Sequence, residues 1–266
     1  MSFGLGRGRR LDVAPGVVGI EREELGPLPD DILTHPDAGW VDLAPLFADH
    51  TLPLEIEIGP GKGAFLIQQG ERQPGTNFLG IEWAREFFSY AADRVRRRQL
   101  RNVRLLCTDA TEFLRWRVPT HAARVLHLYF SDPWPKAKHH KNRVLQDSFL
   151  ADAWRVLEPG GELRIVTDHD DYWAWMEEHF DRWTGPAGWP PLREHLKRHA
   201  SIVRALDALD GGASGAGPFE RHPFQPPESA DAGELVGTNF ERKYRREGRP
   251  FHACTLRRVG PGLPAE

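Results

Sequence analysis

From Leu54 onward the chain alternates short apolar runs with longer amphipathic stretches. The runs lie at Leu54 to Ile58, Asn77 to Ile81, Val103 to Cys107, Val125 to Phe130 and Glu162 to Thr167, each followed by a segment of helical character. Runs this short read as strands, and the stretches between them can carry crossover helices. The alternation predicts an α/β fold: a mostly parallel central sheet with helices on both faces. Such sheets bind ligands beyond the carboxyl ends of their strands, so the residues just after each run are where chemistry is expected.

Residues 1–50 mix Gly, Pro and charge and read as an arm, flexible at first, with a short entry segment around Trp40 to Phe47. One domain is expected over 51–260. Within it, about 183–236 breaks the rhythm with Gly185-Pro186, Pro190-Pro191, Gly211-Gly212 and Pro226-Pro227, and reads as an insertion. Leu192, Leu196, Val203 and Leu206 recur there at nearly helical spacing, which predicts one amphipathic helix. A helix from about Thr238 and a strand from Phe251 to Leu256 close the domain.

Composition narrows the class. The chain has 266 residues, 40% of them hydrophobic, enough for one substantial core. No window approaches the roughly 18 consecutive apolar residues of a membrane span, and Met1 to Arg10 carries no apolar signal segment, so a cytoplasmic location is expected. The two cysteines, Cys107 and Cys254, each sit in a hydrophobic run and read as core thiols rather than a disulfide framework or zinc ligands. A net charge of −3 argues against a generic nucleic-acid coat, so any RNA contact must come from local clusters. Arg94, Arg96, Arg97, Arg98, Arg101 and Arg104 form one such cluster, read as a solvated helix end or an extension of an RNA surface.

The first run is odd. Leu54, Ile56 and Ile58 share one face of a strand and Glu55 and Glu57 the other, although both faces should be buried; something should compensate Glu57. It leads into Gly59-Pro60-Gly61-Lys62-Gly63, where missing side chains let a ligand approach the backbone. With Ala64 this also fits the loose dinucleotide-binding fingerprint. Glu57, Glu82 and Asp109 then stand at the ends of three consecutive strands. Acids there suit an adenosyl ligand: one for the methionine ammonium, one for the ribose hydroxyls, one for the adenine amino group. A pyrophosphate would be repelled by Glu57.

After the fourth run comes Asp132-Pro133-Trp134-Pro135-Lys136-Ala137-Lys138-His139-His140-Lys141-Asn142-Arg143. Its prolines shape a loop, its front is acidic and aromatic, and its tail is basic, a combination that suits a base held by a carboxylate with phosphates at Lys136, Lys138, Lys141 and Arg143. Adjacent His139 and His140 point apart in extended chain and have no carboxylate at ligand spacing, so no metal site is assigned and RNA contact or solvent exposure is expected. With Glu57-Ile58-Gly59, Gly80-Ile81-Glu82, Thr167-Asp168 and Thr238-x-Phe240-Glu241, this order of motifs resembles the bacterial tRNA (guanine-N7)-methyltransferase family over about Leu54 to Leu256. Ser131, Ala137, Asn239 and His169 depart from the family's usual residues.

The resemblance implies a Rossmann-like S-adenosylmethionine-dependent methyltransferase domain acting on tRNA. It implies that Glu57, Gly59, Gly61, Gly63, Glu82, Asp109 and Asp132 touch or border the cofactor. It also implies that Lys136, Asp168, Thr238, Asn239, Phe240 and Glu241 contact the substrate; the basic tail adds Lys138, His139, His140, Lys141 and Arg143 as candidate contacts, and Asp132 is the candidate catalytic group. Thr238 and Glu241 equally have the spacing of a capping box. Guanine N7 carries an exposed lone pair, so no general base is needed. Asp132 could stabilise the charge that develops on the purine or hold its N1-H and 2-amino edge. A small-molecule methyltransferase and a non-catalytic tRNA-binding protein are the rival readings, separated by whether tRNA is methylated.

Overall fold

The computed structural model describes Leu5 and residues 10–207 and 216–260; the Gly211-Gly212 turn signal and most of Met1 to Arg10 lie outside the described residues. Its strands are β1 (Gly19–Glu21), β2 (Leu54–Ile58), β3 (Asn77–Glu82), β4 (Val103–Cys107), β5 (Ala123–Tyr129), β6 (Leu157–Thr167), β7 (Phe219–His222) and β8 (His252–Arg258). They form one sheet in the order β1-β4-β3-β2-β5-β6-β8-β7. The five strands expected from the apolar runs are β2 to β6 and run parallel, while β8 pairs antiparallel with β6.

Helices cover both faces because the strands are apolar on both. On one face, α1 (Ala64–Arg72) and α2 (Arg85–Arg97) bury Leu66, Ile67, Phe88 and Val95 against Phe78, Val103 and Leu105. On the other, α3 (Ala110–Arg117), α4 (Asp147–Val156) and α5 (Asp170–Trp183) bury Phe113, Phe149, Trp154, Tyr172, Met176 and Phe180 against Ile56, Leu126, Leu128 and Ile165. Fully burying each such side chain contributes about 1.5–3 kcal/mol.

The insertion holds two helices where one was expected, α6 (Trp189–Leu196) and α7 (Ala200–Asp207). Leu192, Leu196 and Leu206 are buried, but past the break Ile202 fills the core and Val203 is only half-buried. The same stretch adds β7, paired antiparallel with β8. Within residues 1–50, Gly19–Glu21 pairs in parallel with β4 and extends the sheet. Cys254 is buried and Cys107 half-buried, both as free thiols. Among the described residues no helix is long and apolar enough to cross a membrane.

Connections leave β2 and β5 in opposite directions, β2 toward β3 and β5 toward β6. The carboxyl ends of these two neighbours therefore form a switch point, where the loops part and leave a crevice. The glycine loop and the Asp132 loop are its two lips.

Candidate active site

The glycine loop has the backbone that only glycine adopts readily. Gly59, Gly61 and Gly63 have φ of 70°, 55° and 66°. A Cβ at Gly59 or Gly61 would meet nothing within 4 Å, so both face open space, whereas one at Gly63 would lie 2.9 Å from the Cβ of Ala91. The loop is thus open toward the crevice and tight where α1 meets α2.

Of the two glutamates on β2, only Glu55 has a side-chain partner among the described residues. Glu55 meets His127 Nε2 at 2.8 Å and the Arg124 guanidinium, and His127 Nδ1 lies 2.8 Å from the Tyr129 hydroxyl. These partners hold Glu55 at about 2 despite its burial. Glu57 is 5% exposed, and its Oε2 is buried without a hydrogen-bond partner among the described residues. Burial first, and then the charge of Glu82, push Glu57 up to about 8, against a backbone hydrogen bond from Leu66. Burial thus favours the neutral acid at this position, and a cation beside it would favour the charged form.

Glu82 is buried at the end of β3; its Oε2 accepts from the Gly61 N–H at 2.8 Å and its Oε1 from the Ala84 N–H at 2.9 Å. Burial raises its pKa, opposed by those N–H groups, and the Asp132 charge adds to the rise. The Trp83 N–H adds a third backbone donor, so the carboxylate keeps acceptor capacity for a further hydroxyl. Asp109, at the end of β4, is the N-cap of α3: Oδ1 accepts from the Thr111 and Glu112 N–H groups at 2.8 and 3.0 Å and from the Thr111 hydroxyl at 2.6 Å. Its capping role is established by these bonds, which all fall on one oxygen. Nearby, Arg22 to Leu28 and α3 enclose a cavity of about 430 Å3 that Thr108 lines; none of the four acids borders it.

Asp132 is exposed on the opposite lip. Its loop is bounded by two non-glycine residues with positive φ, Phe130 at 55° and Trp134 at 44°, conformations that persist only when the surroundings enforce them. Phe130 packs on Phe240 with ring centroids 4.7 Å apart, which brings α8 (Asn239–Arg246) to the crevice. Lys136, Lys138 and Lys141 are exposed around a 3-10 turn, Ala137–Asn142. His139 is half-buried with its ring 5.8 Å from that of Trp134. His140 turns inward, its ring 5.7 Å from Trp175 and its Nε2 buried without a partner among the described residues.

Several expected substrate contacts are placed otherwise. Arg143 is not at the surface: its side chain is 1% exposed, so it cannot reach a phosphate from where it lies. Glu241 is fully buried and accepts from the N–H groups of Leu235, Val236 and Gly237 at 2.6, 2.8 and 3.0 Å, with Arg245 beside it. Thr238 is the buried N-cap of α8 and accepts from the Glu241 N–H at 3.3 Å, half of the expected capping box. These two residues build the support from which Asn239 and Phe240 are exposed, Phe240 by 42%. Asp168 is engaged by Arg249 at 2.7 Å. The sequence reading missed Trp83, 68% exposed immediately after Glu82, although a large aromatic just past a strand end was a visible signal. It also missed Phe130, whose role depends on a contact with a residue far along the chain.

A parallel sheet with acids at successive strand tips, a glycine loop and a switch-point crevice defines a Rossmann-like methyltransferase. The family profile described as "Putative methyltransferase" matches residues 51–185. A tRNA (guanine-N(7)-)-methyltransferase of Alkalilimnicola ehrlichii is 35% identical over 232 residues, 86% of this chain and 83% of its own. The chain belongs to the tRNA (guanine-N7)-methyltransferase family. One from Nitrobacter hamburgensis is 38% identical over 148 residues, 56% of this chain, and the match spans 58% of the relative's length, a little over half. The solved 16S rRNA methyltransferase KamB aligns over 90% of this chain and 95% of its own at a TM-score of 0.47 and 12% identity.

Proposed function

We propose that the protein transfers a methyl group from S-adenosylmethionine to N7 of a guanine in tRNA, in the compartment where tRNA is processed, the cytoplasm. The observation that carries this reading is the buried Glu57 carboxyl at the end of β2, whose Oε2 has no hydrogen-bond partner among the described residues, beside the switch point whose other lip holds Asp132. Residues 51–260 would form the catalytic domain, with 1–50 as an arm and 183–236 as an insertion.

The residues present fit the cofactor. Glu57 would pair with the ammonium, Glu82 would accept from the ribose hydroxyls, and the glycine loop would admit the ligand's backbone-contacting face. Asp109 would border the adenine while capping α3. S-adenosylmethionine supplies an electrophilic methyl on a sulfonium. The chain's own task is alignment and water exclusion, because N7 needs no proton removed. Asp132 would face the guanine, whose purine becomes cationic as N7 is alkylated, and its carboxylate stabilises that charge or holds the donor edge. Lys136, Lys138 and Lys141 would hold phosphates, with His139 beside them; Phe240 and Asn239 would flank the base. Asp168, His140, Thr238, Glu241 and the buried Arg143 would act behind these contacts.

The test is mass spectrometry of nucleosides from unmodified tRNA incubated with the protein and S-adenosylmethionine, in which 7-methylguanosine is expected; its absence overturns the reading. Asp132→Asn keeps the shape and removes the charge, so the single-turnover rate should fall on the order of 100-fold, with cofactor affinity changing far less. A parental rate removes Asp132 from the chemistry.

A further inference from the structure

The basic run after Trp134 contains one cation that solvent does not reach. Arg143 Nε donates to the Pro133 carbonyl at 2.9 Å, and a terminal nitrogen donates to Asp171 at 2.5 Å. Its guanidinium lies 5.2 Å from the ring centroids of both Tyr172 and Trp175. That hydrogen bond holds Asp171 below the usual carboxylate range. The fork therefore ties the carbonyl next to Asp132 to α5, which is itself fixed in the core by Tyr172, Met176 and Phe180. On either side stand Phe130 and Trp134 with positive φ, so the loop needs such an external hold. A lysine has one compact charge and no planar fork, and could not bond both partners while stacking on two rings.

We propose that Arg143 is a positioning residue for methyl transfer: it fixes the Asp132-Pro133-Trp134 backbone against α5, so that the Asp132 carboxylate is held where the guanine arrives, and it makes no contact with RNA. This rests on the reading that Asp132 acts on the guanine. A displacement of about 1 Å at a reacting group costs on the order of 100-fold in rate.

The experiment is a double-mutant cycle in single-turnover tRNA methylation, with parent, Arg143→Lys, Asp132→Asn and the double variant. Each is also measured for S-adenosylhomocysteine affinity by calorimetry and for thermal unfolding. Arg143→Lys should slow the parent by about tenfold or more while cofactor affinity stays within about twofold, and should slow the Asp132→Asn background by less than about twofold. Equal losses in both backgrounds make Arg143 a general fold residue and overturn the inference, leaving the proposed function intact. A parental rate for Asp132→Asn alone overturns the reading of Asp132 and the inference with it, and is told apart because the failure then lies in that single variant. If Arg143→Lys unfolds below the assay temperature, Asp171→Ala replaces it, since that side chain is 60% exposed and its loss leaves Arg143 in place without its far anchor. A loss of about threefold that vanishes in the Asp132→Asn background supports the inference, and a parental rate overturns it.

Discussion

Glu57 and Glu241 are both buried glutamates near the same crevice, and the protein treats them in opposite ways. Glu241 has three backbone N–H donors and an arginine; Glu57 has one backbone donor, from Leu66, and its Oε2 has none among the described residues. A buried carboxylate with a full set of donors is a structural anchor, because its desolvation is offset inside the chain. One with a single backbone donor and no ion pair among the described residues, and pushed up to about 8 by burial, is a place where a cation from outside would restore the charge. The pair shows that burial and residue type do not separate support from site; the donor inventory does.

The largest effect should come from breaking the satisfied member. Glu241→Ala leaves the N–H groups of Leu235, Val236 and Gly237 without their acceptor and frees α8 from its anchor. We expect a loss of about 3–5 kcal/mol in urea unfolding, with Glu241→Gln recovering part of it. If Glu241→Ala is as stable as the parent but fails to methylate tRNA, then Glu241 belongs to the site and the contrast with Glu57 collapses.

Changing the unsatisfied member should do the reverse. Glu57→Gln resembles the protonated acid, so stability near neutrality should hold, while affinity for S-adenosylhomocysteine should fall by about 1.5–3 kcal/mol through loss of a charge-assisted contact. The pH dependence has a definite sign. Because the folded carboxyl is raised from 4.5 to about 8, the ligand-free fold binds its proton more tightly than the unfolded chain does. Its contribution to stability is fully present below pH 4.5 and is lost as pH rises through about 8. A bound ammonium would ionise Glu57 and release that proton. Affinity should therefore rise between these limits by at most about tenfold per pH unit, and calorimetric enthalpies should depend on the buffer's ionisation. A parental pH profile in Glu57→Gln would assign the proton elsewhere.

What the sequence disclosed follows the range of the interaction involved. The strands β2 to β6 were legible because alternation and run length are local, and the oddity of Glu57 was legible because two acids on a buried strand violate a local rule. That His127 and Arg124 would satisfy Glu55 and leave Glu57 alone depends on pairing with a strand about 70 residues away. Arg143 looked like its basic neighbours because charge in a sequence carries no depth; its burial comes from Tyr172 and Trp175 on α5. The short strands β1 and β7 gave too few residues for a period to show, and the single helix expected in the insertion divides after Leu196, so that Ile202 takes the core position expected of Val203.

The smallest effect concerns the cations that do remain at the surface, and it carries the comparison of satisfied and unsatisfied groups outward. Of the arginine cluster on α2, Arg96 and Arg97 are paired with Asp93 and Arg98 with Glu71, so much of that charge is already answered within the protein. Lys136, Lys138 and Lys141 are exposed and make no ion pair among the described residues. If they hold phosphates, removing two of them lowers the number of counterions released when tRNA binds. Replacing Lys138 and Lys141 by Ala should weaken tRNA binding modestly and reduce the slope of log affinity against log salt by about 1.8, taking about 0.9 per contact for duplex segments. Cofactor affinity should not change, because neither lysine touches Glu57 or Glu82. An unchanged slope would move the RNA surface to the remaining cations, with Arg101 and Arg246 the first to replace, and the internal pairing of a charge would then be a poor guide to whether it meets RNA.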